Sequence, residues 1–180
     1  MNYIIGQVIG VVASVIAVLI PIFKKKWQML VNNIIVNFLL GLNLIFLDEI
    51  GSGIFLFAVA VLQAIINLIH TLRDEEAKLP EKLIFLVLFV GLGIYGLVTA
   101  PGYVPGLNGR NLLEVLPIIG AVLSMCFVFA RKEQTARKFL LGCDSIWATY
   151  YAFIGSTAIL GNIASITLCL IAMFAYRKKA

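Results

Sequence analysis

Seven long apolar runs, separated by short polar segments, dominate this chain: Tyr3–Phe23, Leu30–Leu47, Ile54–Leu72, Leu83–Ala100, Leu112–Ala130, Phe139–Ile154 and Ala158–Tyr176. A helix needs roughly 20 predominantly apolar residues to cross the hydrocarbon of a bilayer, and each run is near that length. Water cannot be the solvent for them. A chain of 180 residues that is 62% hydrophobic and 13% charged lacks the polar exterior that a small soluble domain requires. The fold class expected is therefore an all-α integral membrane protein with seven transmembrane helices. The connecting segments carry turn chemistry, as in Gly51-Ser52-Gly53 and in Pro101-Gly102-Tyr103-Val104-Pro105-Gly106, which cannot continue a helix. The first run has no basic residue before it and no small-residue cleavage site, so it is read as a retained helix rather than a signal peptide. The sixth run is the shortest and most polar.

Charge gives the runs a direction. Alternating the loops across the membrane puts Lys24, Lys25, Lys26, Arg73, Lys78, Lys82, Arg131, Lys132, Arg137, Lys138, Arg177, Lys178 and Lys179 on one side and only Arg110 on the other. The positive-inside rule then places the N-terminus outside and the C-terminus in the cytoplasm, which requires an odd number of spans. The formal net charge of +5 is thus explained by orientation. Binding to nucleic acid needs a contiguous exposed basic patch, and none is formed by these short clusters.

The chain also echoes itself. Ile9-Gly10 with Ser14 is repeated as Ile119-Gly120 with Ser124, and Trp27 with Leu30 corresponds to Arg137 with Leu140, at an offset of 110. Gly51-Ser52 with Arg73 returns as Gly155-Ser156 with Arg177, at an offset of 104. Two copies of an odd number of spans would be inverted if adjacent, so one helix between them restores a common orientation. The expected architecture is two parallel three-helix repeats joined by a linker helix (3+1+3): residues 1–73, a linker region 74–110 containing the span 83–100, and residues 111–180. Parallel repeats about an axis along the membrane normal are a recurring transporter plan, with the solute site at their interface.

Certain stretches carry a resemblance: Leu62-Gln63-Ala64-Ile65-Ile66-Asn67 with Arg73, Ser145-Ile146-Trp147 with Tyr150-Tyr151, then Gly155-Ser156 and a closing Arg177. Over nearly its whole length the chain resembles the bacterial inner-membrane family Imp-YgjV, which is similar to the superfamily of sugar-transporting SWEETs, PQ-loop proteins and the nicotinamide riboside carrier PnuC. The resemblance implies a SWEET-like 3+1+3 fold in the bacterial inner membrane and passage of a small solute by alternating access, and it implies no particular substrate. One departure concerns the Pro-Gln pair of PQ-loop proteins. Here Pro21 is followed by Ile22, and Arg131 stands at the matching place in the second repeat. Pro117 is expected in the first turn of the fifth helix, where proline is tolerated.

Polar residues within the runs are the candidates for a site. Asp144 is an acidic residue well inside a run, roughly 9 Å from the basic side by helical rise. An ionised carboxylate in hydrocarbon costs at least about 2.5 kcal/mol, so Asp144 must be partnered or neutral. A neutral carboxyl suits a proton-coupled carrier, and the plainer alternative is a structural hydrogen bond or a contact with Arg137. Asp144, Trp147 and Tyr151 share one helical face, and Trp147 aligns with Asn37, which shares a face with Asn33. Gln63, Asn67 and His70 form a stripe on the third helix, and Asn162, Ser165 and Cys169 another on the seventh. Side-chain amides both donate and accept, which suits a neutral polar solute. Alternatively, each amide is interhelical glue worth about 0.6 kcal/mol. The candidate cavity therefore comprises Asn33, Asn37, Gln63, Asn67, Asp144, Trp147, Tyr151 and Asn162. His70, near the basic interface, reads as a solvated group. Gly41, Gly91, Gly93, Gly96, Gly120 and Gly161 read as sites of close helix approach.

Nothing in the sequence announces catalysis. Paired aspartates, a serine and histidine in register, or clustered metal ligands are not found, and Cys126, Cys143 and Cys169 have no metal or disulfide spacing. The acidic run Asp74-Glu75-Glu76 reads as a solvated loop. The expectation is a carrier with no enzyme activity, metal or cofactor, whose partners are the lipid bilayer, a small-molecule solute and, for coupling, protons; a homo-oligomer is open. The competing expectation is a membrane receptor or scaffold that does not transport.

Overall fold

A computed structural model describes residues 2–48, 52–99, 103, 105–106 and 108–175, without the side chains of Ser52 and Arg110. Gly51, Pro101, Gly102, Val104 and the basic tail Arg177, Lys178 and Lys179 lie outside the described residues, as does Tyr176, the expected end of the last span. The helices are α1 (Asn2–Ala17), α2 (Lys26–Phe46), α3 (Ser52–Leu72), α4 (Leu79–Thr99), α5 (Gly109–Phe129), α6 (Glu133–Ile154) and α7 (Ile159–Ala175), with a 3-10 turn at Ile20–Ile22 after α1. Among the described residues there is no strand. Among the described residues, five segments are long and apolar enough to cross a membrane: α1 with its 3-10 extension, then α2, α3, α4 and α5. α7 is as apolar but has 17 residues, and α6 has the length but carries Arg137, Lys138 and Asp144.

Local chemistry sets the boundaries, and several differ from the expected ones. α1 stops at Ala17 rather than running to Phe23, because Pro21 has no N–H to continue the helix and the chain tightens into the 3-10 turn instead. α5 begins at Gly109, where the side chain of Asn108 accepts from Asn111 N at 2.9 Å and so caps the helix. Pro117 is consequently inside α5, not in its first turn. Membrane helices tolerate such a proline because neighbouring groups re-satisfy the freed carbonyl. α6 starts at Glu133, before the expected Phe139, because its polar first turns are structural: Ala136 and Arg137 are buried. Gly155 (φ 67°) ends α6 in the left-handed conformation, with Ser156 N bonded back to Tyr151 O.

The helices alternate in direction, which gives the molecule two ends. The turn end holds the start of α1, the end of α2, the start of α3 and the α6–α7 turn. The basic end holds Lys24 to Lys26, the α3–α4 loop and the α5–α6 loop. Each helix packs on its neighbours in a ring: α1 on α2, α2 on α3, α3 on α5, α5 on α6, α6 on α7 and α7 on α1, while α4 covers the seam between α3 and α5. Where α7 meets α1 the backbones nearly touch, a Cβ on Gly161 lying 2.5 Å from Ser14 Cα, and Gly120 makes room for the indole of Trp147, whose Nε1 would be 2.8 Å from an added Cβ. Gly91, expected at such a contact, has nothing within 4 Å.

The outer surface is apolar. Val8, Val15, Phe38, Leu62, Val87, Ile94, Leu160 and Phe174 are exposed on five helices. An apolar girdle of this extent is far larger than the patches soluble monomers carry, and it matches a protein solvated by lipid.

Candidate functional site

The interior is layered from end to end. At the basic end, Ile20, Met29, Leu30, Phe127, Val128, Leu140 and Cys169 form one apolar cluster. Toward the turn end, Leu44, Phe57, Cys143, Trp147, Tyr150 and Tyr151 form another, built around the Trp147 indole. Trp147 stacks on Phe57 of α3 with centroids 4.7 Å apart and on Tyr151 at 5.6 Å, and Tyr150 meets it edge-on. These residues plug the bundle.

The sequence candidates are all buried, and they fall into three groups rather than one shell. On α2, Asn37 Nδ2 donates to the Asn33 carbonyl at 2.7 Å. On α3, Gln63 and Asn67 both reach across to α5: Gln63 Nε2 to Met125 O at 3.4 Å, and Asn67 Nδ2 to Val128 O. On α6 and α7, Ser165 Oγ donates to Asp144 Oδ2 at 2.6 Å. The carboxylate thus has a serine partner, while Arg137 Nε and Nη2 donate to the carbonyls of Pro21 and Phe23, both at 3.2 Å. Because α6 begins at Glu133, Asp144 is mid-helix, roughly 16 Å from its start and deeper than expected. Trp147 and Tyr151 are brought together, and Phe57, stacked on Trp147, lines an open groove with Asn37.

Four of these side chains keep a buried polar atom without a hydrogen-bond partner among the described residues: Asn33 Nδ2, Gln63 Oε1, Tyr151 OH and Asn162 Nδ2. They belong to α2, α3, α6 and α7, four members of the ring. Counted along their helices, Asn33 and Gln63 lie nearer the basic end and Tyr151 and Asn162 nearer the turn end, a spread of roughly 15 Å by helical rise. Polar atoms buried in this way are uncommon, and each costs desolvation energy that no protein group here returns.

A cavity of about 330 Å³ opens at the basic end, lined by Lys26, Asn67, Thr71, Asp74, Glu75, Lys82 and Arg131 among others. Its floor reaches Asn67, one turn from Gln63. His70 is not simply solvated as expected: Nδ1 is 3.4 Å from Glu75 and Nε2 3.2 Å from Glu81, tying the end of α3 to the start of α4. Glu76 pairs with Arg131, so two members of the acidic run are engaged rather than free in solvent.

Residues that sequence reading did not select hold the two ends. At the turn end, Gln7 Nε2 donates to Gly155 O at 3.0 Å, and its Oε1 accepts from Thr157 N at 2.9 Å. Asn43 Nδ2 donates to Gly6 O at 2.7 Å, and Asn43 Oδ1 accepts from Ser156 Oγ at 3.0 Å. Amides near the ends of apolar runs were the available signal for Gln7 and Asn43.

No curated protein and no solved structure matches the chain. Residues 4–180 match Imp-YgjV, described as bacterial inner membrane protein, and the chain belongs to that family.

Proposed function

We propose that the chain is a carrier that moves a small polar metabolite across the bacterial inner membrane by alternating access between two three-helix bundles, α1–α3 and α5–α7, with α4 as the linker. The observation that carries this reading is the set of buried, unpartnered polar atoms on Asn33, Gln63, Tyr151 and Asn162. A scaffold has no use for buried donors and acceptors aligned along its axis, whereas a solute with several hydroxyl or amide groups returns their lost hydrogen bonds as it passes. The ring supports the two-bundle reading. Exchanging α1, α2, α3 with α5, α6, α7 maps each neighbour pair onto another, α1–α2 onto α5–α6, α2–α3 onto α6–α7 and α3–α5 onto α7–α1. The sequence echo and the resemblance to SWEET-like carriers point the same way.

In this mechanism the solute enters through the basic-end cavity past Asn67, meets Gln63 and Asn33, and displaces the plug around Trp147 before release at the turn end. Asn37 and Asp144 flank the path. Asp144, whose carboxylate accepts from Ser165 Oγ, takes up or releases the coupling proton. The basic end faces the cytoplasm by the positive-inside rule.

The test is a thermal-shift screen of purified protein against sugars, nucleosides and amino acids, repeated in Gln63→Leu, Asn162→Leu and Trp147→Ala. A ligand at 100 times its Kd adds about 2.7 kcal/mol of stability. A solute that stabilises the native chain and none of the variants supports the carrier. Asn162→Leu removes an unpartnered donor and Gln63→Leu an unpartnered oxygen together with the long bond to Met125 O, so both variants should stay close to the native stability when ligand-free. No shift from any solute, in folded protein, favours a non-transporting receptor or scaffold.

A further inference from the structure

The basic end carries a pair of contacts that cross between the bundles in both directions. Arg137, in α6, is 3% exposed and donates from Nε and Nη2 to the carbonyls of Pro21 and Phe23, which end the α1 segment. Lys26, at the start of α2, donates from Nζ to Phe127 O at 2.8 Å in the last turn of α5 and lies 4.6 Å from the centre of the Phe127 ring. Each bundle therefore offers a basic side chain from its second helix to the carbonyl end of the other bundle's first helix. The two residues are 111 positions apart, one step from the 110-residue offset of the internal echo. Carbonyl groups at a helix end carry partial negative charge and are incompletely paired, Phe127 O accepting only a 3.3 Å bond from the cap residue Ala130, so a basic side chain is a natural cap.

The Lys26 contact borders the route inward. Lys26 and Val128 to Ala130 line the basic-end cavity beside Asn67. On the far side of the bundle, Cys169 of α7 is fully buried beneath Arg137, its Sγ 3.0 Å from the Arg137 carbonyl. At the turn end, described cross-bundle bonds run through the neutral side chains of Gln7, Asn43 and Ser156.

We propose that Lys26 and Arg137 form a reciprocal latch, in which each bundle caps the other's first helix, and that release of the latch opens the solute path at the basic end. The proposal rests on the carrier reading for its purpose, but its test needs no solute, so it can fail while solute binding stands, and the reverse.

The experiment uses the full chain in liposomes with Cys126→Ala and Cys143→Ala, leaving Cys169 as the sole thiol, and measures the rate of its reaction with a charged, membrane-impermeant maleimide applied to both faces. The native latch gives slow labelling. If the open state rises from about 1% to about 10% of molecules, Lys26→Met and Arg137→Met each raise the rate about tenfold, and Arg137→Lys raises it less. A second probe, Ser156→Cys with Cys169→Ala, reports on the turn end and should stay slow in the same variants. The proposal is overturned if Arg137→Met alone speeds labelling, since that is a local packing defect above Cys169. It is equally overturned if neither variant does so, or if both ends become reactive together, which would mean general loosening rather than a latch.

Discussion

The two ends of this bundle are closed by different physics. At the turn end, rings are stacked around Trp147 and a mesh of neutral hydrogen bonds joins Gln7, Asn43, Ser156 and Thr157. At the basic end, long side chains reach carbonyl groups, ion pairs such as Glu76 with Arg131 lie on the surface, and a cavity of about 330 Å³ reaches inward. Parting the first end exposes aromatic surface and strands polar atoms. Parting the second also opens the apolar cluster around Met29 and Phe127, but it returns Lys26 and Arg137 to water, and its exposed ion pairs are worth only about 0–1 kcal/mol. The difference teaches that the two ends need not open with equal ease, and in the proposed mechanism the basic end is the one that yields.

Three substitutions sharpen this contrast. Trp147→Ala should have the largest effect, lowering unfolding stability by about 3–5 kcal/mol, the range for a large aromatic deleted from a packed core. Thermal unfolding in detergent followed by circular dichroism reads it, and a loss below about 1 kcal/mol would show that the plug is not close-packed. Gly161→Ala comes next: its methyl group would meet the Ser14 backbone and force α1 from α7, at about 1–3 kcal/mol by the same measurement. Arg131→Ala at the basic end should change stability by no more than about 0.5 kcal/mol, because it removes an exposed pair. A loss as large as that of Gly161→Ala would erase the distinction between the ends.

Much of this architecture is legible in the apolar runs. Seven helices follow from seven runs, and their alternation follows from where lysine and arginine fall. The start of α6 was hidden because Glu133, Arg137 and Lys138 look like loop residues, and only the fold shows that Pro21 and Phe23 supply the carbonyls that receive Arg137. Asp144 was recognisable as an anomaly in an apolar run, yet its partner, Ser165, sits on another helix and no local pattern joins them. The polar stripes picked out Gln63, Asn67 and Asn162, all buried in the structure. Their arrangement along the axis, rather than in one shell, depends on helix starts that hydropathy alone does not fix.

The central claim is that two bundles move against each other, with the basic end opening. The most direct measurement is the distance between spin labels across the bundles, in a background with Cys126, Cys143 and Cys169 replaced by alanine. Labels at Lys24→Cys and Lys132→Cys report on the basic end, and labels at Tyr3→Cys and Leu112→Cys on the turn end; all four native side chains are exposed. The account predicts two distance populations at the basic end and a single one at the turn end in the absence of solute, with the balance shifted by any solute that stabilises the protein. One unchanging distance at both ends, with and without that solute, would contradict it.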